Sequence, residues 1–244
     1  MNKQKGVFKN RTSRKPCRFA LIPRFGTTEQ VQFFEVKTTF VLHFLNAYEK
    51  KNENGEDVVV MDGYRQCVYD GGPNPHSPKH NNAWKNEVDK KYHKIFPNLG
   101  GMDILMTKLW RWQFNLCTGK TEEGPLDNLP DRLTEFGVFN QAYAGKKYRY
   151  AYSTLLKPAW LLFTGIVKHD LENNSSIAYH CSPNRYCSEP AFASRHNPKS
   201  EDDGYLVTYI TDMEKNQSEV LLLDGLNLKV VCRLKLPHRI SSGT

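Results

Sequence analysis

The chain has 244 residues, 39% of them hydrophobic and 12% aromatic. This is enough for one all-β domain or two small ones with a sizeable core. Its longest apolar run, residues 160–167, falls well short of the roughly 18 residues that a membrane-spanning helix needs. The formal charge of +8 suggests a nucleic-acid partner only until it is located, because residues 1–24 hold eight Lys and Arg and no acid. The remaining residues are formally neutral, so a specific nucleic-acid interface is not expected.

Residues 1–17 therefore read as a basic, solvated leader. Such a tail can hold phosphate or anionic lipid by charge alone, so an anion-binding module is one function to weigh. It has no apolar segment of the secretory kind, and its acid-free composition leaves plastid targeting open. Cytoplasmic placement, or placement at the edge of a membrane, is the expectation for the chain, although the sequence locates no apolar docking patch.

Residues 39–49, TFVLHFLNAYE, place His43 inside an otherwise apolar strand. A strand of this composition is expected to be buried, and a buried imidazole needs a partner for each ring nitrogen. Two ordinary hydrogen bonds would serve, and so would one hydrogen bond and one metal ion.

Between residues 71 and 101 the strand pattern fails in a polar stretch rich in Pro, Gly and Asn. It reads as an insertion lying over one face of the sheets, with a candidate helix over residues 84–94. His76, His80 and His93 fall in it and read as surface histidines.

Three later stretches share one design, an apolar strand, a polar turn and a second strand: residues 109–126, 160–180 and 218–236. Their spacing of about 50 residues is compatible with a blade-per-unit repeat. His169, at the end of a strand in VKHDL, and His238, in LPHR, read as non-ligand positions, the first of them on the surface. Six cysteines occur without a CxxC pair, and free thiols are expected. There is no G-x-S-x-G, no G-x-G-x-x-G and no P-loop, which removes serine hydrolases and nucleotide binding from consideration.

Several segments together resemble one family. H-x-x-N-x-Y-E at residues 43–49, RFALIPRFGTTEQVQFFE at 18–35, and EFGVFNQAYAGKKYRYAY at 135–152 are similar to segments of the carotenoid cleavage oxygenases, which include the lignostilbene dioxygenases. YCSEPAFASR, EDDGYLVTYITDM and CRLKLP then follow in the family's order between residues 186 and 237. The resemblance implies an all-β fold, the C-terminal blades of a seven-bladed β-propeller, over residues 18–244. It implies a non-haem Fe(II) dioxygenase that cleaves a conjugated C=C bond of a carotenoid, apocarotenoid or stilbenoid with O2 to give two carbonyl products. The partners would be an apolar polyene or stilbene and O2, with peripheral membrane contact as in other members of the family.

Of the family's four iron-binding histidines, the resemblance assigns only His43 to this chain. The first two are expected upstream of anything matching Arg18 and the fourth beyond Thr244, so the chain is expected to be truncated at both ends. Glu135 and Glu189 match glutamates that orient the ligand histidines, Glu135 pairing with His43 and Glu189 serving the fourth. Without the resemblance, each glutamate would be expected in a salt bridge, with Arg132 or Arg185. Phe44, Tyr48, Phe136, Phe139, Tyr150 and Tyr152 are candidates for an apolar tunnel, though aromatics at strand spacing are usually core. The competing expectation is an inactive propeller fragment without a working iron site.

Overall fold

A computed structural model describes residues 17–37, 39–66, 107–127, 129, 132–157 and 162–240. Most of the basic leader, and the 71–101 insertion with its three histidines, lie outside the described residues. Apart from short 3-10 turns at Thr28–Gln30 and Gln141–Tyr143, the described chain is strand and loop, in agreement with the all-β expectation. No described helix is long and apolar enough to cross a membrane.

The first hairpin pairs β1 (Cys17–Leu21) with β2 (Gln32–Val36). A four-stranded antiparallel meander follows: β3 (Val41–Lys51), β4 (Asp57–Gln66), β5 (Thr107–Asn115) and β6 (Thr121–Pro125). A second meander comprises β7 (Thr134–Val138), β8 (Tyr150–Leu156), β9 (Phe163–Asp170) and β10 (Ser175–His180). The third is built from β13 (Gly204–Asp212), β14 (Gln217–Asp224) and β15 (Val230–Lys235). Its first strand is broken in two, β11 (Arg185–Cys187) and β12 (Ala191–Ser194), both paired with β13. One residue pair, Cys187 with Phe163, joins the second and third meanders into a nine-stranded sheet. Among the described strands, no sheet closes on itself.

Each repeating unit read from the sequence is the last hairpin of one meander: β5–β6, β9–β10 and β14–β15. The turns follow from local chemistry. Gly119 (φ +70°) and Asn174 (φ +49°) adopt the left-handed conformation that these residue types tolerate best. Period-two alternation then sorts the faces. In β13, Leu206, Thr208 and Ile210 are buried, whereas Tyr209 stays exposed.

The cores lie between the first hairpin and the first meander, and between successive meanders. Phe34, Trp112 and Phe114 fasten the first hairpin to the first meander. Leu45, Tyr48, Val60 and Tyr64 of the first meander meet Phe139, Tyr148 and Ala151 of the second. Tyr152 and Ile166 meet Leu206, Ile210 and Leu221 across the next gap. Each fully buried side chain of this size contributes about 1.5–3 kcal/mol, so the inter-sheet contacts dominate the stability. They also fix β3 against β7.

The segment around His43 departs from expectation. Leu42 and Phe44 are 39% and 52% exposed, and only Leu45, Asn46 and Tyr48 turn into the core. The reason is a pair of register shifts in the β3–β4 ladder, between Val41 and Phe44 and between Phe44 and Asn46. Such bulges bend a strand and redirect its side chains.

Candidate metal centre

His43 sits in the β3 irregularity, beside Phe44, which pairs with Gly63; a Cβ added to that glycine would stand 3.0 Å from the His43 carbonyl oxygen. The glycine lets the two backbones approach there. Across the gap, the β7–β8 ladder is also irregular, shifting register between Glu135 and Val138. Phe136 takes φ +49°, uncommon for a bulky residue and costing about 1–3 kcal/mol. A Cβ on Gly137 would fall 1.8 Å from the Tyr64 hydroxyl oxygen, so only glycine fits beside that tyrosine. Two further bonds hold this bulge. The hydroxyl of Thr107 donates to the Thr134 carbonyl (2.8 Å), and that of Thr154 donates to the Glu135 carbonyl (2.7 Å).

The two bulges bring His43 Nδ1 to 2.9 Å from Glu135 Oε2. The same oxygen accepts the Phe136 backbone N–H at 2.7 Å. The Glu135 side chain is fully buried, whereas that of His43 is 45% exposed. Burial raises the Glu135 pKa above the ordinary carboxylate value. The hydrogen bonds from Phe136 and His43 oppose that shift, and the charge of Glu189 adds to it. Glu135 Oε1 is buried with no hydrogen-bond partner among the described residues. The Phe136 ring lies 4.6 Å from the imidazole, centroid to centroid, and covers one side of it.

Chemically, a carboxylate at Nδ1 accepts the proton of that nitrogen and leaves the lone pair on Nε2. This is the arrangement in which an imidazole ligates a metal, since it fixes both tautomer and ring orientation. His43 thus fits the role of one ligand. It does not make a site alone: among the described residues, no group of three or more His, Cys, Asp or Glu side chains is placed to hold a metal ion.

Glu189 is exposed, in the break between β11 and β12, close enough to act electrostatically on Glu135. Neither glutamate takes the salt-bridge partners considered for it. Arg132 pairs with Asp127 and Arg185 with Glu219. Tyr48, Phe139 and Tyr152 are buried in the core, while Phe44 remains exposed.

His238 is exposed, whereas His169, expected on the surface, is not. It is 2% exposed, with Nε2 3.0 Å from the Ser153 hydroxyl, which in turn meets the Tyr64 hydroxyl at 2.7 Å. The residues following a strand's apolar stretch suggested an exposed end. The β8–β9 pairing, which sets His169 opposite the buried Ala151, overrides that. Sequence reading also missed Tyr64 and Gly137, which hold the Glu135 bulge; the Gly in TEFGV is the only signal for it.

Comparison with known proteins bears on this pair. The model of one family, described as the retinal pigment epithelial membrane protein, matches residues 3–244. A carotenoid cleavage oxygenase of Mycobacterium tuberculosis is 28% identical over 236 residues, covering 93% of this chain and 41% of that protein. The carotenoid 9,10(9',10')-cleavage dioxygenase 1 of Arabidopsis thaliana is 28% identical over 259 residues, covering all of this chain and 43% of its own length. Among solved structures, a cobalt-substituted apocarotenoid oxygenase of Synechocystis superposes with a TM-score of 0.68 at 25% identity. That match covers 95% of this chain and 43% of the Synechocystis chain. The chain therefore spans about two-fifths of the length of these relatives.

Proposed function

This chain belongs to the family of the retinal pigment epithelial membrane protein and the carotenoid cleavage oxygenases, and from that membership we propose that it forms part of a non-haem Fe(II) dioxygenase. The reaction is oxidative cleavage of a conjugated C=C bond in a carotenoid, apocarotenoid or stilbenoid, yielding two carbonyl products. The three antiparallel meanders, with cores between successive meanders, support reading the chain as blades of a seven-bladed propeller.

The observation that carries the proposal is the bond from His43 Nδ1 to a fully buried carboxylate. His43 supplies one neutral nitrogen donor through Nε2, and Glu135 orients the ring. With four neutral imidazoles as ligands, Glu135 also offsets part of the metal's charge from outside the ligand set. Glu189 does the same for another ligand histidine. Phe136, packed on the His43 ring, keeps water from one side of it. When bound, Fe(II) would supply the activation of O2 that the cleavage requires.

One imidazole cannot hold Fe(II) with useful affinity, because selective sites need several preorganised ligands. The second reading is accordingly a propeller fragment without a working iron site, favoured by the single histidine among the described residues at this centre. For peripheral membrane contact, the supporting observation is that Ile22, Phe25 and Phe33 are exposed around the first hairpin, beside Arg24.

Metal analysis separates the two readings. The chain alone should purify without stoichiometric iron. Co-expressed with the complementary part of a relative, it should hold about one iron per assembly, and H43A should remove it. Iron retained by the H43A assembly would overturn the assignment of His43. An iron-free wild-type assembly would favour the inactive fragment.

A further inference from the structure

We propose that Cys181 and Cys187 form a peroxide-sensitive dithiol, a modification site on the flank of β9 that is separate from the His43–Glu135 pair. Cys181 follows β10, and its N–H donates to the Thr164 carbonyl at 2.8 Å. Cys187 ends β11 and pairs with Phe163, its thiol lying 3.5 Å from both the Phe163 and Gly165 carbonyl oxygens. The two cysteines thus face neighbouring residues of β9, on the side that β8 leaves open. The two thiols are near enough to act on one another electrostatically. Only residues 182–186, a short turn and the start of β11, separate them in the chain.

Their environments differ in the way that a reactive pair requires. Cys181 is half-buried, and Cys187 is buried. Contact with Cys187 and the charges of Arg185 and Arg233 draw the Cys181 thiol below its ordinary pKa. Contact with Cys181 and burial push Cys187 up. The half-buried Cys181 is therefore the accessible nucleophile, and the buried Cys187 is the resolving thiol.

The chemistry balances with a hydroperoxide as oxidant. The Cys181 thiolate attacks one peroxide oxygen, the O–O bond breaks, and Cys181 becomes a sulfenic acid as hydroxide or alkoxide leaves. The Cys187 sulfur then attacks the sulfenyl sulfur. The S–O bond breaks, and the departing hydroxide takes the Cys187 proton as water. Two electrons pass from the two sulfurs to the peroxide, and one disulfide forms. That bond would close the turn leading directly into Ser188–Glu189–Pro190, the break that carries Glu189.

The test needs no variant at first, because trypsin cuts after Arg185 and so separates the two cysteines. The folded chain is treated with hydrogen peroxide, its remaining thiols are alkylated, and the digest is mapped by mass. Peptides 169–185 and 186–195 should appear linked, and should form at least about tenfold faster than exposed Cys117 is oxidised. In C187S, with its fold checked by circular dichroism, Cys181 should stop at a sulfenic acid that dimedone traps. The proposal is overturned if Cys117 reacts first, or if Cys181 oxidises in the wild-type chain without the linked peptide.

Discussion

His43 and Glu135 meet at 2.9 Å although 92 positions separate them in the chain, and each sits at an irregularity in its own sheet. Regular strands would turn alternate side chains to the two faces of each sheet and leave no freedom to aim them. The bulges provide that freedom. The inter-sheet core of Leu45, Tyr64 and Phe139 holds them in place, and the Phe136 conformation at φ +49° is the local cost.

Glu135→Gln keeps the shape of the pair and removes its charge. In the wild-type chain, nitrogen NMR should find the His43 proton on Nδ1, because only a carboxylate acceptor faces that atom. In E135Q the amide can present either a donor or an acceptor, so a mixture of tautomers is expected. In the iron-holding assembly the same change should weaken metal affinity by about 10–100-fold. An unchanged tautomer together with unchanged affinity would remove Glu135 from the orienting role.

Gly137→Ala tests the other side of the bulge. The added methyl would overlap the Tyr64 hydroxyl, whose oxygen stands 1.8 Å from the Cβ position. Overpacking of this kind costs about 1–3 kcal/mol, read as a lower urea midpoint. Y64F alone should cost about 1 kcal/mol through its lost bond to Ser153. The double variant should be less destabilised than the sum of the two, since removing the hydroxyl relieves the worst overlap. Strict additivity would mean that the tyrosine is not what excludes a side chain at position 137.

His169 should make the chain acid-sensitive. Burial holds its imidazole neutral, with the pKa lowered from 6.5 to about 4; Asp127 opposes that shift and Arg132 adds to it. As pH falls below about 6.5 the unfolded chain takes up a proton that the folded chain refuses. Its contribution to stability is therefore full above 6.5, declines between 6.5 and 4, and levels off below 4. Over that window the loss is on the order of 3 kcal/mol. Urea unfolding across pH 4–7.5 should show the slope, and H169Q should flatten it. An equal slope in the variant would assign the effect to other groups.

What the sequence made legible was local. The hairpins at residues 109–126, 160–180 and 218–236 were readable because apolar alternation and Asn or Gly turns are short-range signals. The His43–Glu135 pair followed from family resemblance, because nothing in either segment alone indicates its partner. Two features escaped for the same physical reason. The exposure of Leu42 and Phe44 depends on bulges, and the burial of His169 depends on β8 covering it. Both are set by non-local pairing that composition does not encode.

A buried carboxylate joins the first two meanders. Asp62, fully buried on β4, accepts both Nε and Nη2 of Arg111 at 2.8 Å, and the Tyr148 hydroxyl at 2.8 Å from the turn before β8. Removing the carboxylate would strand a guanidinium that is only 21% exposed and leave a buried hydroxyl without its acceptor. Breaking one side of such a pair costs about 3–5 kcal/mol, a large part of the roughly 5–15 kcal/mol typical of a folded domain. Y148F removes one hydrogen bond to a charged group and should cost only about 1.5–3 kcal/mol. Chemical denaturation should therefore rank D62A well below Y148F, with D62A near the limit of folding. The reverse order would mean that Tyr148 joins the sheets by packing against Tyr48 and Phe139, and that the Asp62 charge matters little.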